Sequence, residues 1–224
     1  MAKPKKDTLH VGLLIDESGS MGPMHAAVIG GTNEFVAKLA ADENGTKVLA
    51  TLGMFDLHGN DPVVRTTFAD IPVAEVDTLG ADDYAPRGAT PLNDAVVKTI
   101  RAMDKRVKEG HRAMLVILTD GLENSSKTPT RDVRKLILER EKRGWEFIYL
   151  GANQDAWAES DRIGITARGK KFDYAATPDG TRAALRASGE RAKRFRDAPT
   201  EYRAELEDLD SRIDPSDRDV KRRR

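Results

Sequence analysis

Short runs of consecutive apolar residues recur along this chain, at residues 9–15, 46–55, 113–119 and 145–150. Runs that are apolar at nearly every position over this length are typical of strands buried on both faces of a sheet. A weaker pattern at residues 63–68, VVRTTF, indicates a further strand near an edge of the sheet. The hydrophobic pattern therefore predicts five strands.

Between these runs the apolar residues follow a helical period instead. Apolar positions recur at spacings of three and four over residues 24–39 and again over residues 92–107. A third helix is predicted over residues 130–143 and a fourth over residues 155–163. Because strands that alternate with helices form mostly parallel sheets, we predict a doubly wound α/β domain with helices on both faces of the sheet.

Composition narrows the class of protein. The 224 residues include 37 basic and 37 acidic side chains, no cysteine and 39% hydrophobic residues. This composition is typical of a globular protein. The lack of cysteine excludes disulfides, thiolate zinc sites and a cysteine nucleophile. Zero net charge removes any whole-chain argument for nucleic acid or an anionic membrane as a partner. Since the sequence shows neither a run of about 20 apolar residues nor a signal peptide, we predict a cytoplasmic protein.

The neutrality is the sum of two unequal parts. The first 180 residues carry 24 basic and 27 acidic groups, whereas the last 44 carry 13 and 10. We therefore predict a basic N-terminal extension at 1–7, a folded domain at 8–178 and a charged, helical or partly disordered tail at 179–224. Apolar residues at helical spacing predict a short amphipathic helix near 200–214, which could dock on the domain, on a second copy or on another protein. Acidic residues interrupt the basic segments of the tail, so nucleic acid is not expected as its partner.

Oxygen-bearing side chains cluster where two central strands are predicted to end. Asp16 ends the first strand, and a turn of small residues after it carries hydroxyls at Ser18 and Ser20. Asp120 ends the strand at 113–119 in the same manner. Sites in open α/β sheets form at the carboxyl ends of strands, and such oxygens are hard ligands that suit Mg²⁺, Ca²⁺ or Mn²⁺. The sequence therefore predicts a divalent-cation site at this edge of the sheet.

The spacing Asp16-x-Ser18-x-Ser20, followed by Thr90 in Gly-Ala-Thr-Pro-Leu and by Asp120 in Thr-Asp-Gly, resembles a known site. It is similar to the metal-ion-dependent adhesion site (MIDAS) of the von Willebrand factor type A (vWA) domain. The resemblance implies that Ser18, Ser20 and Thr90 offer hydroxyls directly to the ion, while Asp16 and Asp120 hold metal-bound waters. It also implies Mg²⁺ as the ion, with Mn²⁺ or Ca²⁺ as alternatives, and a protein partner whose Asp or Glu completes the coordination.

Parts of this pattern also have a plainer interpretation. Thr90 before Pro91 is a common arrangement for the N-cap of a helix, and both roles are compatible. The aspartates and serines of the pattern also occur as ordinary turn residues. Glu17 departs from the usual family pattern, and a carboxylate pointing into the site would weaken acidic partners. Residues 144–156 are further similar to small free-standing vWA members from bacteria and their phages.

Two other classes of function stay open from the sequence. One is a structural or assembly component, bacterial or phage-borne, with a vestigial ion site and contacts through its tail. The other is a Mg²⁺-dependent phosphatase-like hydrolase, since phosphatases of the haloacid dehalogenase type also place an Asp at a strand end. Those enzymes need a second Asp two residues later, where this chain has Ser18, so no acid/base pair is evident and we predict a non-enzyme.

Overall fold

The computed structural model describes residues 7–41, 45–152 and 155–211, which form a six-stranded sheet with helices on both faces. The strands are β1 Thr8–Asp16, β2 Lys47–His58, β3 Asp61–Pro72, β4 Arg112–Thr119, β5 Trp145–Ala152 and β6 Lys171–Tyr174. Their order across the sheet is β3-β2-β1-β4-β5-β6, and only β3 runs antiparallel to its neighbour. The predicted α/β class with a mostly parallel sheet is confirmed.

The edges of the sheet show how far the apolar pattern reaches. The weak pattern at 63–68 belongs to β3, which is an edge strand, as predicted. At the other edge lies β6, a four-residue strand that the sequence pattern did not predict. Only its two end residues, Lys171 and Tyr174, are buried, so the continuous apolar run of a strand buried on both faces is missing there.

Helices cover both faces of this sheet. They are α1 His25–Ala40, α2 Leu92–Asp104, α3 Thr130–Glu141, α4 Asp155–Ile163, α5 Pro178–Asp197 and α6 Pro199–Ser211. One apolar core joins α1 and α5 to one face of the sheet, and a second core joins α2, α3 and α4 to the other face. This is the doubly wound arrangement, and it leaves the carboxyl ends of β1 and β4 side by side at the centre of one sheet edge.

The C-terminal helices carry much of the charge that suggested a tail. Helix α5 packs against α1 through the buried Leu185 and through Gly189, which lies beside Phe35 of α1. The helices approach closely at Gly31, where a side chain would overlap Leu185. Helix α6 corresponds to the amphipathic helix predicted near 200–214, of which residues 212–214 lie outside the described residues. The division of the chain at residue 179 stays a prediction, although α5 contributes to the core.

Within residues 7–41, 45–152 and 155–211, no helix combines the length and the apolar character needed to cross a bilayer.

Candidate metal centre

The predicted site lies where β1 and β4 end. These two strands are parallel neighbours, so their carboxyl ends meet at the same edge of the sheet. Asp16 is the last residue of β1, and a 3₁₀ turn over Gly19–Met24 then leads into α1. Asp120 directly follows β4. The fold therefore brings together two carboxylates that are distant in sequence.

Asp16 is held in place from both of its carboxylate oxygens. The backbone N–H of Ser18 donates to Asp16 Oδ1 at 2.8 Å, and the Thr119 hydroxyl donates to Oδ2 at 2.6 Å. Tyr84 fixes the backbone of the same residue, since its hydroxyl donates to the Asp16 carbonyl oxygen at 2.6 Å. Asp16 is fully buried, so these contacts leave its side chain little freedom to turn.

The two serines connect Asp16 to Asp120. Ser18 Oγ and Ser20 Oγ lie 3.2 Å apart, and the Ser20 hydroxyl donates to Asp120 Oδ1 at 2.7 Å. The backbone N–H of Ser18 also donates to Asp16, so hydrogen bonds connect Asp16, Ser18, Ser20 and Asp120 in one continuous set. The structure thus brings together four of the five residues that the sequence pattern singled out.

The fifth residue, Thr90, approaches this set through Gly121. A Cβ atom built on Gly121 would lie 3.0 Å from Thr90 Oγ1, so the Thr90 hydroxyl lies directly beside the residue after Asp120. Asn124 holds the backbone of Thr90 by accepting from its N–H at 3.0 Å and donating to its carbonyl oxygen at 3.3 Å. Thr90 is buried and has no hydrogen bond of its own to the four-residue set among the described contacts.

The interpretation of Thr90 as a helix N-cap is wrong. Helix α2 begins at Leu92, and Pro91 occupies the N-cap position without any side-chain capping bond. Instead, Glu123 Oε2 accepts from the backbone N–H of Asn93 at 2.7 Å, so an acidic residue of the loop after β4 satisfies the start of the helix. The Thr90 hydroxyl is therefore not used for capping.

Burial disfavours the ionised form of both carboxylates. Desolvation raises the pKa of Asp16 to about 6, although hydrogen bonds from Thr119 and Ser18 oppose the shift. Desolvation also raises the pKa of Asp120 above its ordinary value. Burial therefore makes the ionised form of each carboxylate less favourable. A cation placed between the two carboxylates would offset this desolvation cost.

The donor set fits a small hard cation. It consists of two carboxylates and three hydroxyls, all of them oxygen ligands of the kind that Mg²⁺ and Ca²⁺ prefer. In the part of the chain that the structure describes, no group of three or more His, Cys, Asp or Glu side chains could hold a metal. The candidate centre differs from such groups, because three of its five oxygen ligands would be neutral hydroxyls.

Several residues that shape the site had no role assigned from the sequence: Thr119, Glu123 and Asn124 only formed part of the family resemblance, and Tyr84 was not singled out. Thr119 and Tyr84 act through single hydrogen bonds to Asp16, and Glu123 and Asn124 organise the start of α2 beside Thr90. The contacts of Thr119 and Tyr84 join positions 103 and 68 residues apart. Local spacing carries no signal for such pairs.

Glu17 does not add an uncompensated charge to the site. Its side chain is buried, and its Oε1 accepts from Arg65 Nη2 and from the backbone N–H of Ala85, each at 2.7 Å. The ion pair with Arg65 neutralises the carboxylate that departs from the family pattern. A weakening of acidic partners by Glu17 stays a prediction, which this pairing disfavours.

The fold is an α/β domain whose oxygen-bearing side chains cluster at the carboxyl ends of its strands, the place where open α/β sheets form their sites. The family model of the von Willebrand factor type A domain matches residues 10–182, and the chain belongs to that family. The family is known for protein–protein interaction. No curated protein sequence is significantly similar to this chain.

Solved structures share the fold at low sequence identity. One is proximal thread matrix protein 1 from the mussel byssus with a zinc-occupied MIDAS motif: 16% identity, TM-score 0.61, covering 81% of this chain and 47% of that one. The pilus adhesin SpaC from Lactobacillus rhamnosus GG is 14% identical with a TM-score of 0.64, and the match covers 82% of this chain and 30% of that one. The vWF domain of the pili tip protein Mfa5 from Porphyromonas gingivalis is 12% identical with a TM-score of 0.57, and the match covers 84% of this chain and 96% of that one. This chain thus spans less than half of the first two proteins, and at these identities the likeness shows the fold alone.

Proposed function

We propose that this chain is a divalent-metal-dependent protein-interaction module. The ion, Mg²⁺ in the first instance with Mn²⁺ or Ca²⁺ as alternatives, would be held by residues from three separate segments: Asp16, Ser18, Ser20, Thr90 and Asp120. The observation that carries the proposal is the continuous set of hydrogen bonds from Asp16 through the two serines to Asp120.

The choice of ligands favours an acidic partner. In the proposed arrangement Ser18, Ser20 and Thr90 give neutral oxygens to the ion, while the aspartates act through water. Because its direct ligands would be neutral, the ion would stay electron-poor and attract a carboxylate from outside. A protein partner that presents Asp or Glu is the partner we propose. The zinc-occupied MIDAS of the mussel protein supports metal binding at such a site, as a property of that protein.

Calorimetric titration with Mg²⁺ and with Mn²⁺ tests the metal step. We expect saturable binding by the wild-type chain and none by Asp16→Ala. Asp77→Ala is a matched control, since Asp77 is an exposed Asp on the segment before Leu79 and is remote in sequence from the five candidate ligands. If the wild-type chain takes up neither metal at millimolar concentration, the proposal fails and a vestigial site becomes the better description.

Co-purification with and without chelator tests the partner step. Proteins that bind through the ion should be lost selectively when EDTA is added, and they should also be lost from the Asp16→Ala variant. Proteins retained under both conditions would instead contact other surfaces, such as α6, and would favour a role as an assembly component.

Three further expectations stay predictions. We propose no catalytic activity, because Ser18 occupies the position where phosphatases with a strand-end Asp need a second carboxylate. A screen with generic phosphate esters checks this, and turnover lost in Asp16→Asn would contradict it.

Cytoplasmic residence is proposed and is checked by fractionation. Self-association through α6 is checked by light scattering with Leu209→Glu, because Leu209 is 45% exposed.

A further inference from the structure

Arg87 lies directly beside the loop that carries the two serines. Its backbone N–H donates to the Glu17 carbonyl oxygen at 2.7 Å, and the next residue, Gly88, accepts from the Gly19 N–H at 3.2 Å. These two backbone bonds bracket Ser18 in sequence. The segment that ends in Thr90 therefore runs alongside the candidate metal ligands and places Arg87 at their border.

The inner part of the Arg87 side chain is fixed by a buried carboxylate. Arg87 Nε donates to Asp56 Oδ2 at 3.0 Å, and His58 Nε2 lies 2.9 Å from the same oxygen. Asp56 is 2% exposed and follows Phe55, which pairs with Asp16 in the register of β1 and β2. The guanidinium is thus anchored through its inner nitrogen on the sheet edge that carries the site.

The outer part of the same guanidinium faces solvent. The Arg87 side chain is 56% exposed, and no described residue accepts a hydrogen bond from Nη1 or Nη2. The nearby Arg65 differs, because its Nη2 bonds to Glu17, to Met54 Sδ and to the Asp83 carbonyl oxygen. Arg87 alone of this pair presents two terminal nitrogens to the outside, the geometry that binds a carboxylate in a bidentate manner.

We propose that Arg87 binds a second carboxylate of the same partner, next to the one that reaches the metal. This inference rests on the proposed function and sharpens it: the module selects a segment with two acidic residues close in sequence over a segment with one. The anchored, half-exposed guanidinium sets the preferred spacing, because it is held at a fixed place beside the loop of Ser18 and Ser20. The metal supplies affinity for any acidic residue, and Arg87 supplies the preference for a pair.

Labelled peptides provide the test. Fluorescence anisotropy in saturating Mn²⁺ would compare a Gly/Ser peptide that contains one Asp with peptides that carry a second Asp one to four residues away. We expect the wild-type chain to bind the best di-acidic peptide about tenfold more tightly than the mono-acidic one, and to lose both in EDTA. Arg87→Gln should bind the two peptides equally, and Arg87→Lys should retain part of the preference because it keeps the charge but not the fork.

Two controls separate this effect from damage to the site. Arg101→Gln removes an exposed arginine from the last turn of α2, without a described ion pair, and should leave the preference intact. Calorimetry should show that Arg87→Gln binds Mn²⁺ no more weakly than the wild type, since losing a nearby positive charge cannot repel the ion. Equal metal affinity would show that the variant is folded with an intact centre.

The possible failures are distinguishable. If the peptides bind in a metal-dependent manner but Arg87→Gln keeps the full preference, or the wild type shows none, this inference is overturned and the proposed function stands. If the metal binds but no peptide does, the acidic partner of the proposed function is wrong and the role of Arg87 falls with it. If no metal binds, the metal centre itself is wrong.

Discussion

Thr119 and Asp16 lie 103 residues apart in sequence and are joined by a 2.6 Å hydrogen bond from Thr119 Oγ1 to Asp16 Oδ2. The bond links the last residues of two neighbouring parallel strands, β4 and β1. It lowers the pKa of Asp16 against the opposing effect of burial. Thr119 therefore helps to keep a fully buried carboxylate ionised and in one orientation, although it is not itself a proposed ligand.

Replacing Thr119 with valine should weaken metal binding. Valine has the same shape but cannot donate to Asp16, so the carboxylate loses an interaction that favours its charged form. A hydrogen bond to a charged group contributes about 1.5–3 kcal/mol, and we expect metal affinity at neutral pH to fall roughly tenfold or more. Calorimetry with Mn²⁺ measures the change. Thr119→Ser keeps the hydroxyl and should bind nearly as well as the wild type; a loss as large as that of valine would contradict the argument.

The raised pKa of Asp16 predicts opposite pH dependences with and without metal. The folded value of about 6 exceeds the ordinary 3.8, so between these values the folded chain binds more protons than the unfolded chain. Without metal, this group should therefore stabilise the fold increasingly as the pH falls through about 6, by up to about 3 kcal/mol in total. A bound ion needs the charged carboxylate, so the increase in melting temperature caused by Mg²⁺ should shrink over the same range.

Comparison with Asp16→Asn isolates this effect from other titrating groups. The difference in unfolding free energy between the variant and the metal-free wild type should favour the variant near neutral pH and vanish as the pH falls toward 4. A difference that is independent of pH would show that Asp16 has an ordinary pKa in the folded chain.

The Gly121→Ala substitution should damage the centre without unfolding the chain. A Cβ at this position would lie 3.0 Å from Thr90 Oγ1, so the Thr90 hydroxyl must move by a few tenths of an ångström. We expect metal affinity to fall several-fold, while the melting temperature of the metal-free chain changes by only a few degrees. Gly22→Ala is the matched control, because a Cβ there meets nothing within 4 Å. Equal metal affinities for the two variants would remove Thr90 from the proposed ligand set.

Leu185→Ala should show that α5 is part of the folded core. Leu185 is fully buried against α1, and truncation of a buried leucine costs about 2–5 kcal/mol. Its neighbour Arg186 is exposed, so Arg186→Ala should change the unfolding free energy by less than about 0.5 kcal/mol. Urea titration followed by circular dichroism measures both. Similar small losses for the two variants would mean that α5 acts as a dispensable appendage.

The main features of the fold could be predicted because its central strands are buried on both faces. All nine residues of β1 are buried, and six of them are apolar or glycine, which makes the run recognisable despite Thr8, His10 and Asp16. Helix α5 was harder to interpret, since many exposed charged residues surround the narrow stripe that contains Leu185, Ala192 and Phe195. Average composition describes the exposed side of such a helix, whereas its packing is decided by the few residues on the buried side.

In the candidate site, too, the residues marked by local sequence could be predicted, whereas contacts between distant segments could not. Asp16, Ser18 and Ser20 are close in sequence, and Asp120 is marked by the end of a strand, so a shared location could be predicted. The roles of Tyr84 and Arg87 depend on which loop the fold lays beside the serines. Their contacts join segments about 70 residues apart, and no pattern of apolar residues specifies such pairs. Metal binding by the five residues of the sequence pattern stays a prediction.

The long sequence separations within the centre have a consequence for the lifetime of the protein. Ser20 and Asp120 are 100 residues apart, so an unfolded chain does not hold them within reach of one ion. An ion that binds only the folded chain raises its stability by RT ln(1 + [ion]/Kd), which reaches about 2.7 kcal/mol at a hundred times Kd. The supply of the cation would then govern how often the chain opens and how quickly proteases degrade it, even when no partner is present.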